Sequence, residues 1–287
     1  MPERTIAALF PGQGASTRQA RGLVDAHCER LYARARKLLG VDPFERADAS
    51  TRYAQPAIYL ASLAGWRACA RAAIMPAAFA GHSLGEISAL AAAGALPGED
   101  GLELVVLRAR LMEQASAGAP GGMIAILKGT VEQAERIALR NDLHVANYNA
   151  PGQTVLSGGL DGLDGAAREA RAEGLRALRL NVSGAFHSPA LSAAEVEFRD
   201  ALANVSFGPG RAPVFSSMSA APFADPAAEL AEAVTRPVRW SETMRALQRL
   251  GVRAYIDVGP DRVLERLVAR TLDGAELIDR EDLRVLA

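Results

Sequence analysis

The pattern of apolar and polar positions predicts a regular succession of strands and helices in the first 120 residues. An apolar run at residues 6–10 ends at once in the turn sequence Pro11-Gly12-Gln13-Gly14, as a buried strand does at a sheet edge. Later stretches repeat apolar residues at spacings of three and four, which predicts helices. The prediction is strands at 6–10 and 77–80 and helices at 19–39, 56–73, 86–95 and 102–117.

The pattern changes after the Gly-Ala-Pro-Gly-Gly stretch at residues 118–122. We predict strands at 123–127, 143–148, 154–157 and 175–182 and helices at 131–140 and 163–172. This βαββαβ order is typical of a ferredoxin-like unit, whose neighbouring ends suit insertion into another domain. We therefore predict a ferredoxin-like small domain at 122–185, inserted into an α/β domain with a parallel sheet at 1–121 and 186–287.

The last hundred residues return to the first pattern. They predict a helix from about residue 185, a strand at 214–217, a long helical region, a strand at 254–258, a Gly-Pro turn and a final helix. These elements would complete the parallel sheet of the large domain.

Composition narrows the class of protein. The chain has 287 residues, 49% of them hydrophobic and 23% charged, as in ordinary globular proteins. A net charge of −1 gives no attraction to nucleic acid, and no apolar run approaches the ~18 residues that span a bilayer. Because no signal-peptide pattern is present, we predict a cytoplasmic protein. The two cysteines, Cys28 and Cys69, have no zinc-site or disulfide spacing, so no metal is expected.

The sequence Gly81-His82-Ser83-Leu84-Gly85 lies between a predicted strand and a predicted helix. A GxSxG motif in that context exposes a nucleophilic serine on a tight turn. The alternative is that Ser83 only caps the helix that follows. We favour Ser83 as a nucleophile, with the backbone N–H of Leu84 as an oxyanion donor. Backbone N–H groups at Gly12-Gln13-Gly14, at the same sheet edge, could complete the oxyanion hole.

A serine nucleophile needs a base, and the chain has four histidines. His82 adjoins Ser83 and points to the opposite face, His27 lies among charged residues of a helix, and His144 opens a strand of the insert. His187 remains, in a loop that returns to the large domain, and is therefore predicted as the base. Its orienting partner stays open, because a backbone carbonyl serves as well as a carboxylate. Asp257 is a candidate carboxylate but could equally cap the Gly-Pro turn.

Arg108 is the one charge in an otherwise apolar stripe of the predicted helix at 102–117. A guanidinium on a buried face requires an anionic partner or several acceptors. Arg108 is therefore a candidate for bidentate binding of a substrate carboxylate. A structural ion pair or an arginine that reaches the surface is the alternative.

Eight motifs occur together and in order along nearly the whole chain. They are Phe10-Pro-Gly-Gln-Gly14, Gln55-Pro-Ala57, Gly81-His-Ser-Leu-Gly-Glu86, Arg108-Ala-Arg-Leu-Met112, Asn147-Tyr-Asn-Ala-Pro-Gly152, Gly184-Ala-Phe-His187, Pro237-Val-Arg-Trp240 and Val258-Gly-Pro260. In this set the chain resembles the malonyl-CoA:acyl-carrier-protein transacylase family, which includes acyltransferase domains of polyketide synthases.

The resemblance implies an α/β-hydrolase-like domain with a ferredoxin-like insert. It implies Ser83 as acyl acceptor, His187 as base held by a backbone carbonyl before the Pro-Val-Arg-Trp motif, and Gln13 and Leu84 as oxyanion donors. Arg108 would hold the malonyl carboxylate, with Gln55 in the same pocket. Phe186 would be a wall beside the acyl α-carbon, which in this family accompanies malonyl rather than methylmalonyl use.

The resemblance also implies the partners. Malonyl-CoA and an acyl carrier protein would be the substrates, no cofactor would be required, and the enzyme would be a monomer without nucleic-acid or membrane partners. Two other functions remain open: a hydrolase that passes the same acyl-serine to water, and a catalytically silent module that docks a carrier protein.

The chain departs from the family pattern at three places. Residues 15–20 lack the usual Gly-Met pair, residues 233–237 lack the usual Gln, and Asp261 replaces the Gly that commonly follows Val-Gly-Pro. The departures border the cleft and the surface. They bear on acyl or carrier specificity more than on the chemistry.

Overall fold

The structure, a computed structural model, describes residues 5–15, 17, 19–70 and 74–280. The strands are β1 Ile6–Phe10, β2 Ala78–Gly81, β3 Gly121–Leu127, β4 Leu143–Ala150, β5 Gln153–Gly159, β6 Arg176–Arg179, β7 Val214–Ser216, β8 Ala221–Pro222, β9 Ala254–Asp257 and β10 Glu276–Leu277. The helices are α1 Arg21–Leu39, α2 Pro43–Arg46, α3 Thr51–Ala70, α4 Gly85–Ala93, α5 Gly98–Gly118, α6 Val131–Arg140, α7 Leu160–Ala172, α8 Ser192–Leu202, α9 Pro226–Glu232, α10 Trp240–Arg249 and α11 Val263–Thr271.

The larger sheet has the strand order β10-β9-β1-β2-β7-β8. All its neighbours pair in parallel except β8, which is antiparallel to β7. Strand β1 lies at the centre, and four of its five residues are fully buried, which explains its continuous apolar run. Because parallel strands end at the same edge, the residues after β1 and β2 meet there. The fold is thus a mixed α/β fold with a largely parallel sheet.

The smaller sheet has the order β4-β5-β3-β6, and all its pairs are antiparallel. Helices α6 and α7 cover one face and form a separate apolar cluster with it. Met123, Ala125 and Val155 on the other face join the main core of the larger unit. The smaller sheet therefore packs its second face over the larger sheet's helices, and the space between the two units is lined from both.

A short backbone ladder joins the two units. Val238 donates its N–H to Ala146 O at 2.8 Å and accepts from Tyr148 N at 2.8 Å. It thereby forms a parallel bridge with Asn147 of β4. This ladder ties the segment before α10 to the small sheet.

Three glycines allow the turn after β2 to press against the end of β1. A Cβ on Gly85 would overlap Phe10 O, and one on Gly81 would overlap the backbone of Gly85 and Glu86. A Cβ on Gly12 would lie 2.5 Å from His82 O. The turn can reach this position only because these residues lack side chains.

Several predicted boundaries were wrong. Helix α3 begins at Thr51, not at residue 56, because Pro56 is accommodated inside the helix; the predicted end at 71–73 lies outside the described residues. Strands β4 and β5 continue through Ala150 and from Gln153, so the hairpin loop is shorter than predicted. The predicted long helical region before β9 is two helices, α9 and α10, preceded by the unpredicted edge strand β8. None of the described helices is long and apolar enough to cross a membrane.

The close approach at Gly85 gives a stability prediction. The Gly85→Ala variant should lower the free energy of unfolding by about 3 kcal/mol, because the new methyl group meets fixed backbone rather than a movable side chain. Gly22→Ala is the control: its site is exposed, open and helical, so it should leave stability unchanged or raise it by up to about 1 kcal/mol. Urea unfolding of both variants measures the difference, and equal stabilities would contradict the prediction.

Candidate active site

Ser83 lies at the turn between β2 and α4 with a left-handed backbone, at φ 54°. Non-glycine residues rarely adopt this conformation, and it costs about 1–3 kcal/mol where it occurs. The turn is held by hydrogen bonds from Gly85 N to His82 O at 3.0 Å and from Glu86 N to Ser83 O at 3.0 Å. This geometry presents the Ser83 hydroxyl above the carboxyl edge of the sheet.

His187 lies against Ser83, with 2.8 Å between Nε2 and the Ser83 Oγ. Its Nδ1 lies 2.9 Å from Ala233 O and 3.0 Å from Arg236 O. Carbonyl oxygens only accept, so Nδ1 carries the proton and Nε2 is left as the acceptor for the Ser83 hydroxyl. Two backbone carbonyls thus fix the tautomer that a general base requires.

The surroundings of His187 keep the imidazole neutral. Burial, followed by the positive charge of Arg108, lowers its pKa to about 3. A neutral imidazole can take a proton from Ser83 without first losing one of its own. The same effects disfavour the imidazolium that forms during reaction, so an anion near His187 and Arg108 would assist the proton transfer.

Arg108 is 5% exposed and reaches the same point from α5. It donates from Nη1 to Gln55 Oε1 at 2.8 Å and from Nη2 to Ser83 Oγ at 3.1 Å. Burial lowers its pKa to about 10, and the negative charge of Glu86 acts in the opposite direction. No carboxylate of the described residues lies within 4.0 Å of this guanidinium, so Arg108 forms no ion pair with them.

Gln55 is held from both sides. Its Oε1 accepts from Arg108, and its Nε2 donates to the sulfur of Met112 at 3.3 Å. Both contacts are buried, and together they fix the orientation of the amide.

A cavity of about 110 Å³ opens at Ser83 between the two units. Its lining residues are Gln13, Gln55, His82, Ser83, Leu84, Arg108, Met112, Met123, Asn147, Asn149, Val155, Leu180, Val182, Phe186 and His187. Ligand pockets are commonly about 300–1,000 Å³, so this one suits a short acyl group. The cavity is thus lined by the residues predicted as nucleophile, base, oxyanion donors and acyl-binding residues, which are Ser83, His187, Gln13, Leu84, Arg108, Gln55 and Phe186.

Two further cavities adjoin it through shared lining residues. The first, of about 150 Å³, shares Gln13 and Val182 with the Ser83 cavity. The second, of about 390 Å³, shares Gln13, Asp48 and Asn181 with the first. Gln13 lines all three cavities.

The remaining candidates take other roles. Asp257 does not approach His187: its Oδ1 accepts from Gly259 N at 2.9 Å and its Oδ2 from Leu264 N at 2.8 Å. It caps the Gly-Pro turn and α11, the second of the two roles left open. His27 and His144 lie outside the cavity.

Sequence reasoning missed the residues that the small sheet contributes to the cavity. Asn149 Oδ1 lies 2.8 Å from His82 Nε2, which joins the turn at Ser83 to β4. Met123 and Val155 form an apolar wall from β3 and β5. Asn149 stands within a motif that carries the family resemblance, so a signal was present, but its partner was not predictable. In the part of the chain that the structure describes, no cluster of His, Cys, Asp and Glu could hold a metal ion.

Comparison with known proteins defines the class. Residues 45–284 match the acyl transferase domain family, and the chain belongs to it. It is 34% identical over 289 residues to a polyketide biosynthesis malonyl CoA-acyl carrier protein transacylase, PksC of Bacillus subtilis, covering 96% of this chain and 100% of that protein.

Solved structures agree. The malonyl CoA-acyl carrier protein transacylase FabD of Coxiella burnetii superposes with a TM-score of 0.91 at 29% identity, covering 98% of this chain and 96% of that one. A malonyl-transacylase in complex with its type II polyketide synthase acyl-carrier protein, PlMCAT with AntF, gives a TM-score of 0.87 at 30% identity and covers 96% and 95%.

The lowered pKa of His187 gives a pH prediction. A neutral sulfonyl fluoride, phenylmethanesulfonyl fluoride, should label Ser83 at similar rates at about pH 7.5 and about pH 5.5. His187 stays neutral at both pH values because its pKa is about 3. At about pH 5.5 an ordinary imidazole, with a pKa of about 6.5, would be mostly protonated and unable to act as a base. Intact-mass measurement of the labelled fraction against time gives the rates. A tenfold fall at the lower pH, about one pKa unit below 6.5, would show that His187 titrates normally.

Proposed function

We propose that this chain transfers a malonyl group from coenzyme A to the phosphopantetheine thiol of an acyl carrier protein through an acyl-serine. The observation that carries the proposal is the double contact of the Ser83 Oγ, with His187 Nε2 at 2.8 Å and with a buried, carboxylate-free Arg108 at 3.1 Å. The first contact supplies a nucleophile, and the second selects an acyl group that ends in a carboxylate.

In the first half-reaction, His187 removes the Ser83 proton as Oγ attacks the thioester carbonyl. The developing oxyanion is bound by the N–H groups of Gln13 and Leu84, neither of which donates to a backbone carbonyl of the described residues. The C–S bond then breaks, His187 returns its proton to the departing thiolate, and malonyl-Ser83 remains.

The second half-reaction runs the same steps in reverse with a new thiol. His187 takes the proton of the carrier's phosphopantetheine thiol, whose sulfur attacks the acyl-serine. The oxyanion again lies at the Gln13 and Leu84 N–H groups, and Ser83 leaves with the proton from His187. The chemistry is complete with side chains and backbone alone, so the proposal includes no cofactor and no metal.

Arg108 and Gln55 form the acyl-specificity pocket of this proposal. Arg108 would bind the malonyl carboxylate through two charge-assisted hydrogen bonds, and the carboxylate would provide the ion pair that the free protein lacks. Phe186 is 4% exposed and lines the cavity before His187, so it would limit space at the acyl α-carbon. We therefore propose malonyl over methylmalonyl and acetyl groups.

The carrier-protein partner rests on the relatives, which are named transacylases of acyl carrier proteins. The two cavities that adjoin the Ser83 cavity at Gln13 would admit a pantetheine arm. We propose that the enzyme acts as a monomer.

We also propose that the two units are a ferredoxin-like domain and an α/β-hydrolase-like domain. The strand order β4-β5-β3-β6 within a βαββαβ sequence supports a ferredoxin-like small domain at 122–185. The serine turn between β2 and α4 supports an α/β-hydrolase-like large domain formed by 1–121 and 186–287. Strand β3 begins at Gly121, one residue before the proposed boundary.

The proposal is tested by the product. Incubation with malonyl-CoA and a holo acyl carrier protein should give malonyl carrier and little free malonate, and intact mass should show malonylated Ser83 when the carrier is omitted. Ser83→Ala should lose acylation and transfer by several orders of magnitude, because nucleophile and base act as one unit. Free malonate as the main product would favour a hydrolase. Absence of any acylated serine would favour a docking module.

The role of Arg108 is tested by competition among acyl groups. Each charge-assisted hydrogen bond contributes about 1.5–3 kcal/mol, so Arg108→Ala should lower malonyl transfer about 10²-fold or more and shift preference toward acetyl-CoA. Arg110→Ala is the matched control, because Arg110 is exposed on the same helix. Rates with malonyl-, methylmalonyl- and acetyl-CoA are compared. An Arg108→Ala enzyme that still prefers malonyl would remove Arg108 from the pocket.

A further inference from the structure

A buried carboxylate lies directly behind the nucleophile. Glu86 is in the first turn of α4, three residues after Ser83, and is only 1% exposed. Its Oε1 accepts two hydrogen bonds from Ser217, from the backbone N at 2.6 Å and from Oγ at 3.0 Å. The chemistry proposed above does not use this group, although isolated buried carboxylates are costly.

The contact with Ser217 leads on to the base. Ser217 O accepts from Arg239 N at 2.6 Å. Arg239 follows Arg236 by three residues, and Arg236 O is one of the two carbonyls that hold His187. Glu86 thus closes a ring that runs from Ser83 through α4, Ser217 and the 236–239 segment to His187 and back to Ser83.

Burial raises the pKa of Glu86 to about 7, against the hydrogen bonds from Ser217 and the charge of Arg108. Among the described residues, the two bonds from Ser217 are the hydrogen bonds that this carboxylate accepts.

We propose that Glu86 is a positioning residue that sets the geometry of Ser83 against His187 through Ser217. The proposal rests on the Ser83–His187 pair and not on the acyl group that Ser83 would carry.

The positioning role is measured by labelling Ser83 with phenylmethanesulfonyl fluoride, which carries no carboxylate. Glu86→Ala should slow labelling about tenfold or more, because an ångström-scale displacement of a nucleophile from its base costs that much. Glu86→Gln keeps an oxygen that accepts from Ser217 N and should restore most of the rate. Glu132→Gln, at an exposed site in the small unit, is the control and should label as the wild type does.

Two results would overturn the positioning role. One is a folded Glu86→Ala enzyme that labels at the wild-type rate, and the other is a Glu86→Gln enzyme as slow as Glu86→Ala. Thermal unfolding of each variant identifies loss of fold. If Glu86→Ala does not fold, Glu86→Met decides: it fills a similar volume but offers no oxygen to Ser217 N, so slower labelling than in Glu86→Gln supports the role and an equal rate overturns it.

A wild type that transfers no malonyl group would overturn the proposed function, while the labelling experiment would still decide the positioning role.

Discussion

The backbone at Ser83 is the constraint on which the site depends. A left-handed residue between β2 and α4 needs room on both sides, and that room exists only because Gly81 and Gly85 carry no side chains where the turn meets the end of β1. From this one conformation follow the position of the Ser83 hydroxyl against His187 and the direction of α4, which carries Glu86 behind the nucleophile. The buried strands β1 and β2, which lie beside the turn, hold Ser83 in this strained conformation.

A second constraint is the desolvated charge of Arg108. The fold buries a guanidinium and satisfies it with one amide and one hydroxyl, although an ion pair would be the usual compensation. A buried cation without an anion stabilises whatever anion enters the cavity. Under the proposed function, a substrate without a carboxylate would leave that charge uncompensated, so the same residue would attract a malonyl group and disfavour an acetyl group. Met112 contributes by accepting from Gln55, which leaves the amide oxygen to face Arg108.

Much of the candidate site could be predicted from the sequence, because its chemistry depends on residue types that are rare in this chain or unusual at their positions. Only four histidines had to be considered, and Arg108 was the one charged residue in an apolar stripe.

The features that could not be predicted depend on contacts that residue identity does not encode. The acceptors of His187 are backbone carbonyls at Ala233 and Arg236, which any residue would provide. The hydrogen bonds between His82 and Asn149 and between Glu86 and Ser217 join residues that are far apart in sequence. Only the tertiary structure could decide whether Asp257 contacts His187 or caps the Gly-Pro turn. Element boundaries failed where Pro56 was tolerated within a helix and where β8 was too short to give a periodic signal.

The ladder at Val238 links the shape of the cleft to the state of the base. Val238 pairs with the small sheet, and two residues earlier Arg236 offers its carbonyl to His187. A displacement of the small sheet would therefore also displace this segment and lengthen the hydrogen bond from His187 Nδ1 to Arg236 O. The segment from Arg236 to Val238 thus fixes two things at once: the orientation of the imidazole and the position of the small sheet that forms one wall of the cavity.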